Sequence, residues 1–447
     1  MNILKTAGFW LILAAMAVPL AAQTPAKDLL KKAEAALEDG DTETAKELYL
    51  QVIDLDPEES DAYYKLGLLS ENAEDALNWY KQYAELEPDD AWGWLAVGDA
   101  SVKVGKPLEA LEAYERAAKL APDADDVKEG LEKGRLRAAW TVQPIGGTIG
   151  DSEGNRTWRY GIEGDVPLRG GFRLGGRIVA SDIRGKPTPS SVQEFLFRIE
   201  GRPRFALRLE LSAGLARFAD QVGKKGLLGK SSPLITLEAD LRVRWRDPDG
   251  GPALEARLQR VPYVSTPRLV INRAVMNDAR VGVEWPVGFL RLRGAGRASW
   301  IETAGEASNR RLQADGALVL PINWRGEISV QYHRLGYGRD SLAGYFAPKS
   351  VETLEAGTYW ELGDEGPVVV ELDLGAGIQR LAKQHEDVGP WKLALRGYAL
   401  FAADLLPGLQ LRAETEAYSA PFASVGVVTA PNWKYLAISA GFLIRIQ

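Results

Sequence analysis

The sequence has no cysteine and only two histidines among its 447 residues. The absence of cysteine excludes disulfides, zinc–thiolate sites and thiol nucleophiles. The two histidines, His333 and His385, fall in different segments, so neither a histidine-based metal site nor a conventional hydrolase triad is expected. Disorder is excluded as well, because 46% of the residues are hydrophobic and such a chain can bury enough apolar surface to fold.

The N-terminal apolar stretch is too short for a membrane-spanning helix, which needs about 20 apolar residues. It runs from Phe9 to Val18, follows Lys5 and precedes Pro19 and two alanines. This layout is typical of a secretory signal peptide. The sequence therefore predicts a signal peptide over residues 1–22 and a protein that leaves the cytoplasm.

Charge divides the rest of the chain into two parts. Residues 23–135 contain 28 acidic and 13 basic residues, and most of these basic residues are lysine. Residues 136–447 contain 33 acidic and 40 basic residues, and most of these basic residues are arginine. The contrast indicates an acidic domain joined near Arg137 to an arginine-rich one.

The acidic part contains an internal repeat of about 34 residues. The residues that recur are Tyr63, Gly67, Ala76, Tyr80 and Pro88 in one copy and Trp94, Gly98, Ala110, Tyr114 and Pro122 in the next. This pattern resembles the tetratricopeptide repeat, in which small residues let paired helices approach and proline ends the second helix. We expect a helical solenoid over residues 23–137, with about three repeats and a capping helix. Such solenoids normally bind a peptide or protein partner; the alternative is a simple spacer.

The arginine-rich part alternates apolar and polar residues with a period of two, which is typical of β-strands. From Ile235 to Trp245 every second residue is apolar, and most of the residues between them are charged. Sixteen such segments follow one another, and their connections alternate between short and long. Short turns at one end and long loops at the other are the pattern of an outer-membrane barrel. The sequence thus predicts a transmembrane antiparallel β-barrel of about 16 strands over residues 138–447; the alternative is a soluble β-sandwich.

In a 16-stranded barrel the charged face would line an aqueous channel. The predicted channel-lining residues are Arg173, Arg177, Arg198, Arg242, Arg244, Arg257, Arg291, Arg293, Arg297, Arg396, Arg412, Glu238, Asp240, Glu371 and Asp373. The excess of arginine indicates a weak preference for anionic or hydroxyl-rich passengers. The alternative is that these charges pair across strands and only satisfy a polar interior.

A signal peptide, tetratricopeptide repeats and a 16-stranded barrel together resemble the outer-membrane exporters of synthase-dependent exopolysaccharides, such as poly-N-acetylglucosamine and cellulose. The resemblance implies a periplasmic helical domain that docks a protein partner and a barrel in the outer membrane of a Gram-negative bacterium, through which a polysaccharide passes. This chain has about three repeats where that family has many.

Two other functions stay open at this point. One is a porin-like uptake channel or a helper in surface-protein translocation, and the other is a soluble periplasmic scaffold. We expect no enzymatic activity, no cofactor, no metal and no nucleic-acid partner, whereas outer-membrane lipid would surround the barrel.

Overall fold

The computed structural model describes residues 25–204, 206–220, 235–248, 250–323, 325–363, 366–419 and 434–446. The predicted signal peptide, residues 1–22, lies outside the described residues. The described residues form two compact units, a helical one that ends at Ala138 and a β unit that begins at Ala139. No helix among the described residues is long and apolar enough to cross a bilayer.

The helical unit consists of seven helices in the described part of the chain. They are α1 (residues 25–38), α2 (Thr42–Leu55), α3 (Ser60–Leu69), α4 (Ala73–Leu86), α5 (Ala91–Lys103), α6 (Pro107–Leu120) and α7 (Asp125–Ala138). Side-chain oxygens cap several of their N-termini, where the first backbone N–H groups have no partner within the helix. Asp90, for example, accepts hydrogen bonds from the backbone N–H groups of Trp92 and Gly93 at the start of α5.

The repeat residues bring paired helices close together. A Cβ atom on Gly67 would lie 2.5 Å from Cε1 of Tyr80, so only glycine permits the observed approach of α3 and α4. Gly98 meets Tyr114 in the same way between α5 and α6. Tyr114 and Ala110 are fully buried. The spacing of small and aromatic residues that identified the repeat therefore corresponds to this packing.

Within the described residues, the β unit has sixteen strands and one short α-helix. The strands are β1 (Trp140–Asp151), β2 (Arg156–Leu168), β3 (Phe172–Arg184), β4 (Ser190–Arg204), β5 (Leu207–Asp220), β6 (Ile235–Arg246), β7 (Ala253–Pro262), β8 (Val275–Val287), β9 (Leu290–Thr303), β10 (Glu306–Asn323), β11 (Gly326–Tyr337), β12 (Ser350–Leu362), β13 (Val368–Ala382), β14 (Lys392–Leu406), β15 (Leu409–Tyr418) and β16 (Tyr435–Ile446). The helix α8 (Pro267–Ile271) lies between β7 and β8.

The sixteen strands form one closed antiparallel barrel in which each strand pairs with its neighbours in sequence. Pairing of β1 with β16 closes the barrel, with Trp140 opposite Ile446 and Asp151 opposite Tyr435. Closure leaves no free sheet edge, so the backbone groups of every strand find partners within the sheet. The predicted fold class, a helical solenoid followed by a barrel of 16 antiparallel strands, is confirmed. The sandwich alternative is wrong.

Candidate functional site

The outward face of the barrel is apolar over most of its height. Phe197, Leu237 and Leu393 leave 74%, 67% and 66% of their surface exposed although each is large and hydrophobic. Most of the strands present such residues at every second position. In water this surface would be a strongly unfavourable hydrophobic patch. The barrel is therefore of the outer-membrane type, in which an apolar band faces outward.

Outward-facing tryptophans lie near both ends of the strands. Trp140, Trp245, Trp285 and Trp360 lie at the short-turn end, and Trp158, Trp300 and Trp391 lie at the long-loop end. Trp324 and Trp433 are outside the described residues. Two aromatic belts are expected where a membrane barrel meets the headgroup regions.

Apart from Arg204, which lies opposite Leu207 at the short-turn end, the charged residues on this outward face lie at the long-loop end within the described strands. They are Arg156, Asp182, Arg184, Arg217, Arg260, Glu302, Arg310, Arg334, Glu352 and Arg380. The other outward positions toward the middle and the short-turn end carry apolar, small or uncharged side chains. The two ends of the lipid-facing surface therefore differ in charge.

The inward face contains the charged residues of the predicted set. Strand alternation places all fifteen of them toward the barrel interior. Most of the arginines make ion pairs with carboxylates on neighbouring strands. Arg293 Nε lies 2.6 Å from Glu284 Oε2, and Arg244 Nε lies 3.1 Å from Glu255 Oε2. Further pairs join Arg173 and Arg198 to Asp165, Arg177 to Glu238, Arg242 to Glu210, Arg257 to Asp240, Arg291 to Glu284, Arg297 to Asp278, and Arg396 to Glu355 and Asp373.

Pairing neutralises much of the arginine excess on β3–β11. In the described part of the chain, Arg280 is the exception in the middle of this region, because it is exposed and has no ion pair. Arg280, Arg293 and His333 line two interior cavities of 760 and 940 Å³. His333 Nδ1 lies 3.0 Å from Asp315 Oδ1, so this histidine is held within the polar interior network.

The opposite side of the interior carries an acidic wall, formed by Glu361, Glu371, Glu414 and Glu416 with Tyr359, Tyr398, Tyr418 and Tyr435 on β12–β16. The Tyr359 hydroxyl donates to Glu361 Oε2 at 3.4 Å, and Tyr418 donates to Glu416. Arg412 lies on β15 within the same wall. Among the described residues, neither Arg412 nor Glu371 has an ion pair. The wall combines free carboxylate charge with phenol groups that can exchange hydrogen bonds with a hydroxyl-rich molecule.

Two loops fold into the interior at the long-loop end, where the sequence predicted only external connections. The plug segment, residues 263–274 with α8, contacts inward-facing residues of β8 and β9 on one side and of β3–β5 on the other. Leu269 and Val270 are fully buried in these contacts. A second loop, residues 338–349, adds Ala343 and Tyr345 to the same core. The plug segment therefore narrows this end of the interior.

Hydrogen bonds hold the plug segment in place. Asn272 Nδ2 donates to the carbonyl of Ala343 at 2.9 Å, and the Thr266 hydroxyl caps α8 by accepting from the Leu269 N–H at 3.3 Å. Sequence reasoning missed these residues because loops carry no periodic pattern. The signal that could have revealed them is the concentration of apolar residues, Leu269 to Ile271 and Ala343 to Ala347, in segments expected to be solvated.

The helical unit contains a cluster of tyrosines around Tyr64. Its ring centroid lies 5.5 Å from that of Tyr80 and 5.1 Å from that of Tyr83. Burial raises the pKa of Tyr80 to about 12. Burial also raises the pKa of Tyr114, and its hydrogen bond to Asp99 adds to the effect. These phenols stay neutral at physiological pH and act as packing and hydrogen-bonding groups.

The remaining repeat residues lie at the positions that the repeat assigns them. Tyr63 donates to the carbonyl of Pro57, and the Trp94 indole N–H donates to the carbonyl of Pro88 at 2.9 Å. Arg116 lies over the Trp94 ring, 4.4 Å from its centroid. Ala76 is half-buried on α4, and Pro122 follows the end of α6. Trp94 and Arg116 therefore form a cation–π pair in this unit.

The tetratricopeptide repeat family model matches residues 30–91. No curated protein matches the chain significantly. Among solved structures, a bacterial polysaccharide outer membrane secretin aligns at 12% identity over 69% of this chain and 99% of its own, with a TM-score of 0.49. The first repeat domain of Spaghetti (RPAP3), bound to an HSP90 peptide, aligns at 20% identity over 24% of this chain and 89% of its own, with a TM-score of 0.23.

A Thermobaculum terrenum O-GlcNAc transferase mutant aligns at 24% identity over 26% of this chain, with a TM-score of 0.23. The aligned part spans only 23% of that transferase's length. The assignment of the barrel rests on strand pairing and on the apolar outward face rather than on these likenesses. The chain is an outer-membrane channel protein with a tetratricopeptide-repeat unit.

Proposed function

We propose that this protein exports a polysaccharide across the outer membrane by passive passage through the barrel. The observation that carries the proposal is the acidic wall inside the closed barrel, where free carboxylates alternate with tyrosine hydroxyls. Sugar hydroxyls exchange many weak hydrogen bonds with such groups, which favours sliding over tight retention. The predicted channel-lining residues would form the walls of this path.

The interior favours a neutral or amine-bearing polymer over a polyanion. Most arginines of β3–β11 are neutralised by carboxylates within 4.0 Å, whereas Glu371 in the acidic wall has no ion pair among the described residues. The local field at the acidic wall is therefore negative and repels anionic groups. The negative field at the acidic wall therefore opposes the weak preference for anions that the overall arginine excess indicates.

Orientation follows from the connections between strands. In outer-membrane barrels the short turns face the periplasm and the long loops face outward. Under this rule the chain enters β1 from the periplasm, and the repeat unit is a periplasmic module. We propose that this unit docks a protein or peptide partner that delivers the polymer, since repeat solenoids bind such partners.

A porin-like uptake channel is the second candidate, and the plug segment favours it. A loop folded into the bore limits the size of molecules that pass, which suits small solutes better than a polymer. Export would require the plug segment to move aside while the chain passes.

Single-channel recording in planar bilayers distinguishes these functions. Export predicts that neutral or amine-bearing oligosaccharides added on the short-turn side reversibly block the current, and that polyanionic oligosaccharides block it several-fold less. Glu371→Gln with Glu414→Gln should weaken the block by the amine-bearing oligomer. The matched control is Thr415→Val, whose side chain faces outward. Passage of small solutes with no oligosaccharide block in any variant would contradict export and favour uptake.

A further inference from the structure

The outward face of the barrel carries an asymmetric set of arginines at the long-loop end. Six of them are grouped in three pairs along the strand ends: Arg156 directly opposite Arg184, Arg260 and Arg310 in one row with two strands between them, and Arg334 and Arg380 in one row with one strand between them. Among the described residues, Arg204 carries the one charge at the outward positions toward the short-turn end. A charge that faces hydrocarbon is costly, so these arginines must lie at the level of the headgroups.

The first pair places like charges directly opposite each other. Arg156 and Arg184 are partners across β2 and β3, and both side chains are exposed. In the described residues neither makes an ion pair; the nearest outward carboxylate, Asp182, accepts a hydrogen bond from the Tyr160 hydroxyl at 3.2 Å. Directly opposed like charges destabilise a strand pair. An anion between the two guanidinium groups would remove this repulsion.

The third pair is arranged around a single carboxylate. Arg334, Glu352 and Arg380 are opposite one another on β11, β12 and β13. Arg380 Nη2 lies 2.5 Å from Glu352 Oε2, and Arg334 Nε lies 3.8 Å from Glu352 Oε1. Arg380 also lies over the outward Trp391 ring, 4.8 Å from its centroid. The group keeps a net positive charge beside an aromatic ring of the membrane interface.

The second pair also lies beside a single outward carboxylate, Glu302. Arg260, Asn277, Trp300 and Arg310 form one row across β7–β10. Glu302 Oε1 accepts a hydrogen bond from Asn277 Nδ2 at 2.8 Å, and Glu302 Oε2 lies 3.3 Å from Arg260 Nη1. Because Glu302 balances the charge of Arg260, the charge of Arg310 stays unbalanced in this row. All three pairs thus lie next to an outward tryptophan, Trp158, Trp300 or Trp391.

We propose that these three arginine pairs bind the phosphate groups of membrane lipids in the leaflet around the long-loop end. Guanidinium groups bind phosphate oxygens in a bidentate manner. Arg156 and Arg184 are directly opposed on neighbouring strands and can share one phosphate, whereas the arginines of the other two pairs would each bind a separate phosphate. The adjacent tryptophans place the bound group at the headgroup level. The proposal goes beyond passage through the bore, because it concerns the outer surface alone.

Native mass spectrometry of the full chain in detergent tests the proposal. The probes are bis-phosphorylated lipid A and the same lipid A without phosphates. The wild type should retain the phosphorylated form at least several-fold more than the phosphate-free form. Arg156→Gln with Arg184→Gln should lower that retention at least twofold, and Gln at all six positions should abolish the preference. Arg280→Gln with Arg412→Gln, which removes two inward charges, should leave it unchanged.

Equal retention of the two lipids by the wild type, or unchanged retention in the six-fold variant, would overturn the proposal. Displacement of phosphorylated lipid A by millimolar inorganic phosphate alone would overturn the lipid assignment and indicate a free-phosphate site. Heat-modifiable gel mobility checks that each variant barrel is closed. If the glutamine variants fail to fold, Arg156→Lys with Arg184→Lys keeps the charge but loses the bidentate geometry, and it should show intermediate retention. Retention equal to that of the wild type would then contradict the proposal.

Discussion

Single buried hydroxyl groups connect the helices of the repeat unit. Tyr114 is fully buried, and its hydroxyl donates to Asp99 Oδ1 at 2.6 Å across α5 and α6. The same ring fills the space that Gly98 leaves open. Because burial raises the pKa of Tyr114, its neutral form is favoured in the folded state.

This shift predicts a loss of helical stability at high pH. A raised pKa in the folded state contributes stability that is fully present below the unfolded value of about 10 and is lost as pH rises through the folded pKa. The thermal midpoint measured by circular dichroism at 222 nm should therefore fall above pH 10. Tyr114→Phe should cost about 0.5–1.5 kcal/mol at pH 7 and should flatten this fall.

The matched control is Tyr63→Phe, which removes an exposed hydrogen bond to the carbonyl of Pro57. This change should leave both the midpoint and its pH dependence close to those of the wild type. An unchanged alkaline fall in Tyr114→Phe would show that Tyr114 does not cause it.

At the scale of single residues, the sequence predicted which face of a strand a residue occupies but not which residue it forms an ion pair with. Alternation along β6 places Glu238 and Arg242 inward, as the structure has them. Their partners, Arg177 on β3 and Glu210 on β5, depend on cross-strand register and side-chain reach, which a single strand does not encode. The role of the predicted residues in lining a channel stays a prediction.

At the scale of elements, the strands were predictable and the plug segment was not. Period-two alternation predicts a strand over residues 289–302, and β9 begins and ends one residue later, because its two faces differ in polarity. Alternation predicts the next strand over residues 310–321, whereas β10 begins four residues earlier, at Glu306, with a register shift before Asn309. Helix α8 has only five residues, too few to show a helical period.

The plug segment should control the width of the bore. Leu269→Asp with Val270→Asp places charges in a dry core and should detach α8 from the inward faces of β3–β5. Single-channel conductance in planar bilayers should then rise several-fold. Leu342→Asp is the control, because this residue of the second loop is 74% exposed and should leave the conductance unchanged. Equal conductance in all three proteins would show that the segment does not restrict ion flow.

At the scale of the whole molecule, the two faces of the barrel wall differ in polarity. The closed pairing of β1 with β16 and the apolar outward face are typical of a barrel with lipid outside and water inside. The sequence predicted this arrangement because the period-two alternation and the alternation of short and long connections agree with each other. It could not predict the neutralised arginines or the acidic wall, since these depend on how sixteen strands align around the barrel.

Cysteine substitutions along β16 test this claim most directly, because the native chain contains no cysteine. Ala437 and Ser439 face inward, whereas Ile438 and Ala440 face outward. In proteoliposomes, Ala437→Cys and Ser439→Cys should react with a charged, membrane-impermeant thiol reagent about tenfold faster or more than Ile438→Cys and Ala440→Cys, because thiolate formation needs water. Equal rates at all four positions, or faster reaction at the outward pair, would contradict a lipid-embedded barrel with an aqueous interior.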